Sequence, residues 1–292
     1  MSAAVLLTKS FWLFDEQSTD HLSVARHFVG KTGCILAPSL RIKSLICYTG
    51  RARIPVWLQM KTLTAQSLVI RRVRDQARDT RSLDLLPKDA LGAHGVSFVP
   101  GQVAILQVPG LSPAYFAFAS APEDPELEVL VKRKVGASNV IYDLQEGQAV
   151  ELAGIAGHGF SLSEQKGRDL VFVAMGTGVA PLRSALRHVL KRKDEFGQLV
   201  VLYGAQTPDH FCYRDETEGW ANAGVELRQV ISRPDGHDWS GPTGYVQSLL
   251  DNVLPNLVSP VALICGSLEM IDQTRERLGK MGFKPEEILT NY

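Results

Sequence analysis

Asp169-Leu170-Val171-Phe172-Val173-Ala174-Met175-Gly176-Thr177-Gly178-Val179-Ala180-Pro181 reads as a buried apolar strand, a glycine-rich turn and the opening of a helix. The glycines let backbone N–H groups approach a pyrophosphate, and the helix N-terminus favours its negative charge. Pro181 is expected at the first helical position, where a missing N–H costs nothing. Leu182, Ala185, Leu186 and Val189 follow at helical spacing, with Arg183, Arg187 and His188 on the other side. Valine at Gly178 is expected to crowd the pyrophosphate turn. Alone, the stretch fits either an ordinary strand–turn–helix of an α/β core or a nucleotide site.

Toward the C-terminus, strands alternate with helices. Leu199-Val200-Val201-Leu202-Tyr203 is an unbroken apolar run, as a strand covered on both faces should be. Val225 to Ile231 and Val261 to Cys265 follow, then a helix over Glu269 to Leu278 and a last strand at Ile288 to Thr290. This pattern predicts a doubly wound α/β domain with a parallel sheet and ligand at the carboxyl ends of its strands. Toward the N-terminus, short strands crowd together: Gln66 to Val73, Gln102 to Val108 after the Pro100-Gly101 turn, Tyr115 to Ala119, Leu127 to Lys132, and Ala149 to Ala153 after Glu146-Gly147. Such spacing predicts an antiparallel barrel or sandwich. The polar stretch Ser161 to Arg168 separates the two patterns. The expected division is an extension at 1–62, a barrel at 63–162 and the α/β domain at 163–292.

A chain of 292 residues is long enough for two cores. Its formal net charge of +0 gives no electrostatic reason to expect nucleic acid. Arg71, Arg72, Arg74, Arg78 and Arg81 crowd one segment and Lys132, Arg133 and Lys134 another. They form either solvated strand faces or a docking face for an acidic partner. Cys34, Cys47, Cys212 and Cys265 include no C-x-x-C pair and no zinc or iron–sulfur spacing, so no metal is expected. No apolar run approaches the ~20 residues that span a bilayer. Residues 1 to about 60 carry Lys9, Arg26, Lys31, Arg41, Lys43, Arg51 and Arg53 among many Ser and Thr, with few acids. That composition fits either an organelle transit segment or a natural extension.

A small barrel followed by a nucleotide-binding α/β domain resembles the ferredoxin–NADP reductase superfamily, over about Leu63 to Tyr292. Pro100-Gly101-Gln102, Gly136-Ala137-Ser138, Glu146 to Leu152, Gly157-His158-Gly159-Phe160, Gly176 to Pro181, Tyr203-Gly204, Gly244 to Gln247 and Cys265-Gly266-Ser267 resemble its motifs and occur in its order. The resemblance implies FAD contacts from Phe116, Phe118, Ala119 and Ser120, from Val131 and Lys132, and from Gly136, Ala137 and Ser138. It implies NADP or NAD contacts from Gly176, Thr177, Gly178, Val179, Ala180 and Pro181, and from Tyr203, Gly204, Gly266 and Ser267. Ser232, Arg233 and Tyr245, with Arg214 as a further candidate, match readers of an adenosine 2′-phosphate. The lysine usual before that tyrosine is Thr243 here. Cys265 matches the position beside the nicotinamide, or is a buried core cysteine. Tyr292 matches a terminal aromatic gate, or is a frayed chain end.

One departure stands out. Where the family carries R-x-Y-[ST], this chain has Ala114-Tyr115-Phe116-Ala117. The flavin-phosphate guanidinium is missing, so flavin binds weakly, binds through Lys132, Arg133 or Ser138, or is lost. A plastid branch, the fruit-protein-like reductases, is similar in this segment. That likeness implies a chloroplast address, with mitochondrial or cytoplasmic alternatives. Two functions follow from the resemblance. One is a flavin-dependent NAD(P)H oxidoreductase serving a separate one-electron carrier, such as an acidic ferredoxin. The other is a nucleotide-binding protein that has lost the reaction and acts as a sensor or assembly component.

Overall fold

The computed structural model describes residues 65–88 and 95–291; the expectations for 1–62 and for Tyr292 lie outside these residues. Six strands form one antiparallel sheet: β1 (Gln66–Ala77), β2 (Thr80–Pro87), β3 (Val103–Gln107), β4 (Ala114–Ala117), β5 (Leu127–Lys132) and β6 (Ala149–Ala156), in the order β4-β3-β6-β1-β2-β5. The two end strands of that order meet. Phe118, just past β4, bridges Val129 of β5, and the Ala119 amide donates to the Glu128 carbonyl at 2.7 Å, so the sheet curls into a barrel. Leu68, Ile70, Leu83, Leu106, Phe116 and Leu152 fill its interior.

Strand β2 is not foreseen by the periodicity, because both of its faces are covered. Leu83 and Leu85 enter the barrel core, while Ser82 and Asp84 are buried on the other side. Asp84 lies opposite Glu128 of β5, and Arg72 and Arg74 of β1 neutralise the pair. The same contacts carry β1 on to Ala77, beyond its predicted end at Val73.

Five strands form the second sheet, all parallel: β7 (Leu170–Met175), β8 (Leu199–Ala205), β9 (Val225–Ile231), β10 (Val261–Cys265) and β11 (Ile288–Thr290), in the order β11-β10-β7-β8-β9. Helix α1 (Ala137–Asp143) belongs to the barrel; α2 (Val179–Leu190), α3 (Thr217–Asn222), α4 (Leu250–Val253) and α5 (Leu268–Lys280) accompany the parallel sheet. Separate apolar clusters lie on its two faces, one including Leu182 and Leu186 of α2, the other Ile271 and Leu278 of α5. The order reverses between β7 and β10, which marks the crevice where open α/β sheets take ligand. Helices α2 and α5 begin there, directly after β7 and β10.

The glycine-rich turn is a 3-10 turn over Gly176–Gly178, and α2 starts at Val179. Pro181 is therefore the third helical residue and not the first. The whole first turn of a helix has no intrahelical acceptor for its amides, so proline is tolerated there.

Candidate functional site

The two glycines of the turn have different tasks. Gly176 has φ 55, in the left-handed region, and nothing lies within 4 Å of where a Cβ would project. Its open side faces the switch point, where an anion can meet backbone amides. Gly178 has ordinary helical geometry, but an added Cβ would lie 2.6 Å from the Cys265 carbonyl carbon and 2.9 Å from the Gly266 nitrogen. Its bareness lets α2 pack on the end of β10, so valine there would strike that strand end before any ligand. Tyr203, fully buried, donates its hydroxyl to the Gly176 carbonyl at 3.1 Å and accepts from the Cys212 amide at 3.1 Å. It supports the turn at one remove. Gly204 makes room for Val246, whose Cβ would lie 2.9 Å from a side chain there. Val179, Ala180 and Pro181 are buried in the helix start, Thr177 and Gly266 are half-buried, and the Ser267 hydroxyl caps α5 by accepting from the Met270 amide.

Cations gather around His210 and Cys212. Arg78 and Lys132 are close enough to His210 to help lower its pKa, although burial is the larger cause. Lys132 and Arg214 likewise act on Cys212, whose thiol burial pushes up to about 11. Burial takes the Cys265 thiol to about 12. Both cysteines are thus neutral thiols, unfit as nucleophiles. Past β9, Ser232 is half-buried, Arg233 is exposed and the Tyr245 ring is 68% exposed, open to stacking. Among the described residues, no three His, Cys, Asp or Glu side chains form a metal-binding group.

On the barrel side, Ala114, Phe116, Phe118 and Val131 face the core, and Phe118 stacks on Phe98 at 4.1 Å. Ala119 and Ser120 are buried, the Ser120 hydroxyl accepting from the Glu128 amide at 2.9 Å. The aromatic residue that β4 presents outward is Tyr115, 62% exposed. Gly136, with φ 71 and open space around it, leads into α1; Ala137 is buried and Ser138 half-buried. Arg133 is engaged by Asp143, Asn139 and the Tyr142 ring, whereas Lys132 and Lys134 are exposed.

The largest unforeseen feature is Arg183. It does not face solvent from the far side of α2: its side chain is 3% exposed. It donates to the Ala119 carbonyl at 2.8 Å, to Glu128 Oε2 at 2.9 Å and to both oxygens of Glu216, and it lies over the Tyr213 ring at 4.2 Å. Burial works against its charge; the Glu216 hydrogen bonds, with Tyr213 and Glu128, outweigh this and raise its pKa. The arginine run of β1 and β2 is also partly internal, since Arg72 and Arg74 hold Asp84 and Glu128, and Arg81 holds Asp75. The spacing of basic residues on α2 was visible in sequence, but nothing local identified their acidic partners.

The family profile described as oxidoreductase NAD-binding domain matches residues 172–276. Ferredoxin–NADP reductase B of Sorangium cellulosum is 33% identical over 183 residues, covering 59% of this chain and 74% of that protein. Fruit protein pKIWI502 of Actinidia deliciosa is 30% identical over 210 residues, 65% of each chain. The crystal structure of a ferredoxin–NADP+ reductase from Neisseria gonorrhoeae with bound FAD and NADP superposes with a TM-score of 0.65 at 21% identity, over 77% of this chain and 97% of that one. The paired sheets are those of that fold, and on the Sorangium likeness the chain belongs to the ferredoxin–NADP reductase superfamily of oxidoreductases.

Proposed function

We propose that the chain is a flavin-dependent NAD(P)H oxidoreductase, moving electrons between a nicotinamide nucleotide and a separate one-electron carrier. The observation that carries this reading is the left-handed, unobstructed Gly176 at the switch point, with its carbonyl held by Tyr203. That turn fits a dinucleotide pyrophosphate: it offers amides and space, and the first turn of α2 contains no acid. On the barrel side, open Gly136 with Lys132 and Lys134 fits a second pyrophosphate, the cations coming from β5 and its extension where β4 supplies none. A bound flavin supplies hydride acceptance and release of single electrons. The protein's share is orientation. Tyr203 fixes the turn, and the exposed Tyr245 ring and Arg233 favour an adenosine 2′-phosphate. No acid ends β8, where a 2′-hydroxyl reader for NAD is expected. Cys265 adds a small neutral thiol at the carboxyl end of β10.

Residues 1–292 hold no iron–sulfur spacing of cysteines, which fits a carrier that is a separate molecule. Exposed Arg71 and Arg78 with Lys132 and Lys134 suit an acidic carrier of ferredoxin type. Buried Asn291 donates to the Gly101 carbonyl at 2.9 Å and so ties the position before Tyr292 to the barrel, in keeping with a gating role for the Tyr292 ring. The basic, Ser- and Thr-rich composition of residues 1 to about 60 supports a plastid address.

The test is an absorption spectrum of the full chain with and without FAD, followed by NADPH-driven reduction of ferricyanide. A yellow protein that NADPH bleaches is the expected result. A colourless protein that still binds NADPH overturns it and favours the sensor reading, which Ala114 and Ala117 in place of polar flavin contacts support.

A further inference from the structure

We propose that Arg183 and Ser184 are positioning residues that fix the distance and angle between the two cofactor supports. The inference rests on the reading that the barrel carries flavin and the Gly176 turn carries nucleotide. Both residues lie early in α2, just past that turn. Arg183 takes the Ala119 carbonyl at 2.8 Å, and the Ser184 hydroxyl donates to the Ser120 carbonyl at 2.6 Å. The helix that presents amides to one ligand is therefore bonded to the backbone of the strand expected to flank the other.

That strand end is held from its other side as well. The Ala119 amide donates to the Glu128 carbonyl, and the Ser120 hydroxyl accepts from the Glu128 amide. Residues 119 and 120 are thus clamped between β5 and α2, with Arg183 also holding the Glu128 carboxylate. An apolar contact alone would allow two packed units to slide, whereas a planar guanidinium shared among Ala119, Glu128 and Glu216 fixes rotation as well as separation. A lysine in the same place offers one point charge and cannot reach three acceptors that lie in different directions. Asp124 and Glu123 continue the contact along α2, pairing with Arg187 and Lys191 and with His188 and Arg192. Their partners are partly exposed, which leaves the rigid part of the junction at Arg183 and Ser184.

The test compares the full chain with Arg183→Lys and with the milder Ser184→Ala. Three quantities are read: NADP+ affinity by calorimetry without added flavin, hydrogen exchange of amides 119–128 under the same conditions, and the single-turnover rate of flavin reduction by NADPH. For Arg183→Lys, exchange at 119–128 should accelerate at least tenfold and reduction slow at least tenfold, while NADP+ affinity stays within threefold. Ser184→Ala should move exchange and reduction the same way by a smaller factor. Unchanged exchange in both variants overturns the proposal without any flavin being present. Faster exchange with an unchanged reduction rate overturns it too, leaving a purely structural contact, and a parallel loss of NADP+ affinity would place Arg183 in binding. Failure of the wild-type protein to be reduced is a different result, and it defeats the oxidoreductase reading.

Discussion

At its amino end helix α2 offers only backbone: Gly176, Thr177 and Gly178 bring no charge, and the site is a matter of amides and space. Along its flank the same helix carries Arg183, Arg187 and His188, with Lys191 and Arg192 just past its end, and each reaches an acidic side chain. The front is built for a ligand and the flank for assembly. Backbone recognition needs three adjacent residues of permitted geometry, whereas side-chain assembly needs partners from elsewhere in the chain. Substitutions at the two places should fail in different ways.

The largest effect is expected at the front, where the two glycines can be separated. Gly178→Val drives a branched side chain into the backbone of Cys265 and Gly266, which cannot yield without parting α2 from β10. A loss of more than about 4 kcal/mol is expected, seen as an insoluble or non-cooperatively melting protein. At Gly176 an added Cβ meets no atom within 4 Å, so valine there suffers chiefly the left-handed backbone strain, about 1–2 kcal/mol. That variant should fold and lose at least tenfold in NADP+ affinity by calorimetry. Should Gly176→Val bind normally while Gly178→Val folds, the cradle has been assigned to the wrong glycine.

This contrast explains what could be read from the sequence. The parallel strands were legible because their apolar runs are local, and β9, β10 and β11 end where their patterns end. The Gly176 turn was legible for the same reason. Strand β2 was not, because Asp84 and Ser82 break its pattern and their burial depends on Arg72 and Arg74 of another strand. The task of Arg183 was hidden by distance: its acceptors Ala119 and Glu128 lie 64 and 55 residues away. Phe116, matched to a flavin contact by motif position, lies in the barrel core, while its neighbour Tyr115 is the outward ring. A motif assigns a position in the chain but does not settle which way a substituted side chain faces.

The flank should respond to acid in a way the front does not. Burial alone would raise the Asp124 carboxyl, but hydrogen bonds from Arg187, Lys191 and the Ala121 amide overcome it and hold the pKa at about 2. A carboxylate depressed in the folded state contributes stability above its unfolded pKa and loses it as pH falls through the folded value. Asp124 therefore contributes fully above pH 4, and its share, on the order of 2 kcal/mol, disappears between about pH 4 and pH 2. Asp124→Asn should be less stable at pH 7 and should lose less further stability across that window, measured by urea melts at stepped pH. Parallel acid limbs for variant and wild type would show that the flank contact is not what acid breaks first.

The smallest effect probes how Arg183 is held from below. Tyr213 is fully buried, has φ 57 although it is not glycine, and its hydroxyl makes only a poor hydrogen bond, toward Glu128. Burial first, and then the Glu128 carboxylate, push its pKa well above the usual tyrosine value, so the hydroxyl stays protonated. What Tyr213 gives the flank is its ring, the face on which the Arg183 guanidinium rests at 4.2 Å. Tyr213→Phe keeps that face and removes a buried polar atom that is poorly bonded, so stability should change by less than about 0.5 kcal/mol. Tyr213→Leu removes the face and should cost about 1–2 kcal/mol, together with faster exchange at 119–128. If Phe instead costs as much as Leu, the hydroxyl is bonded to Glu128, and Arg183 is held through a proton shared across the junction as well as by an aromatic surface.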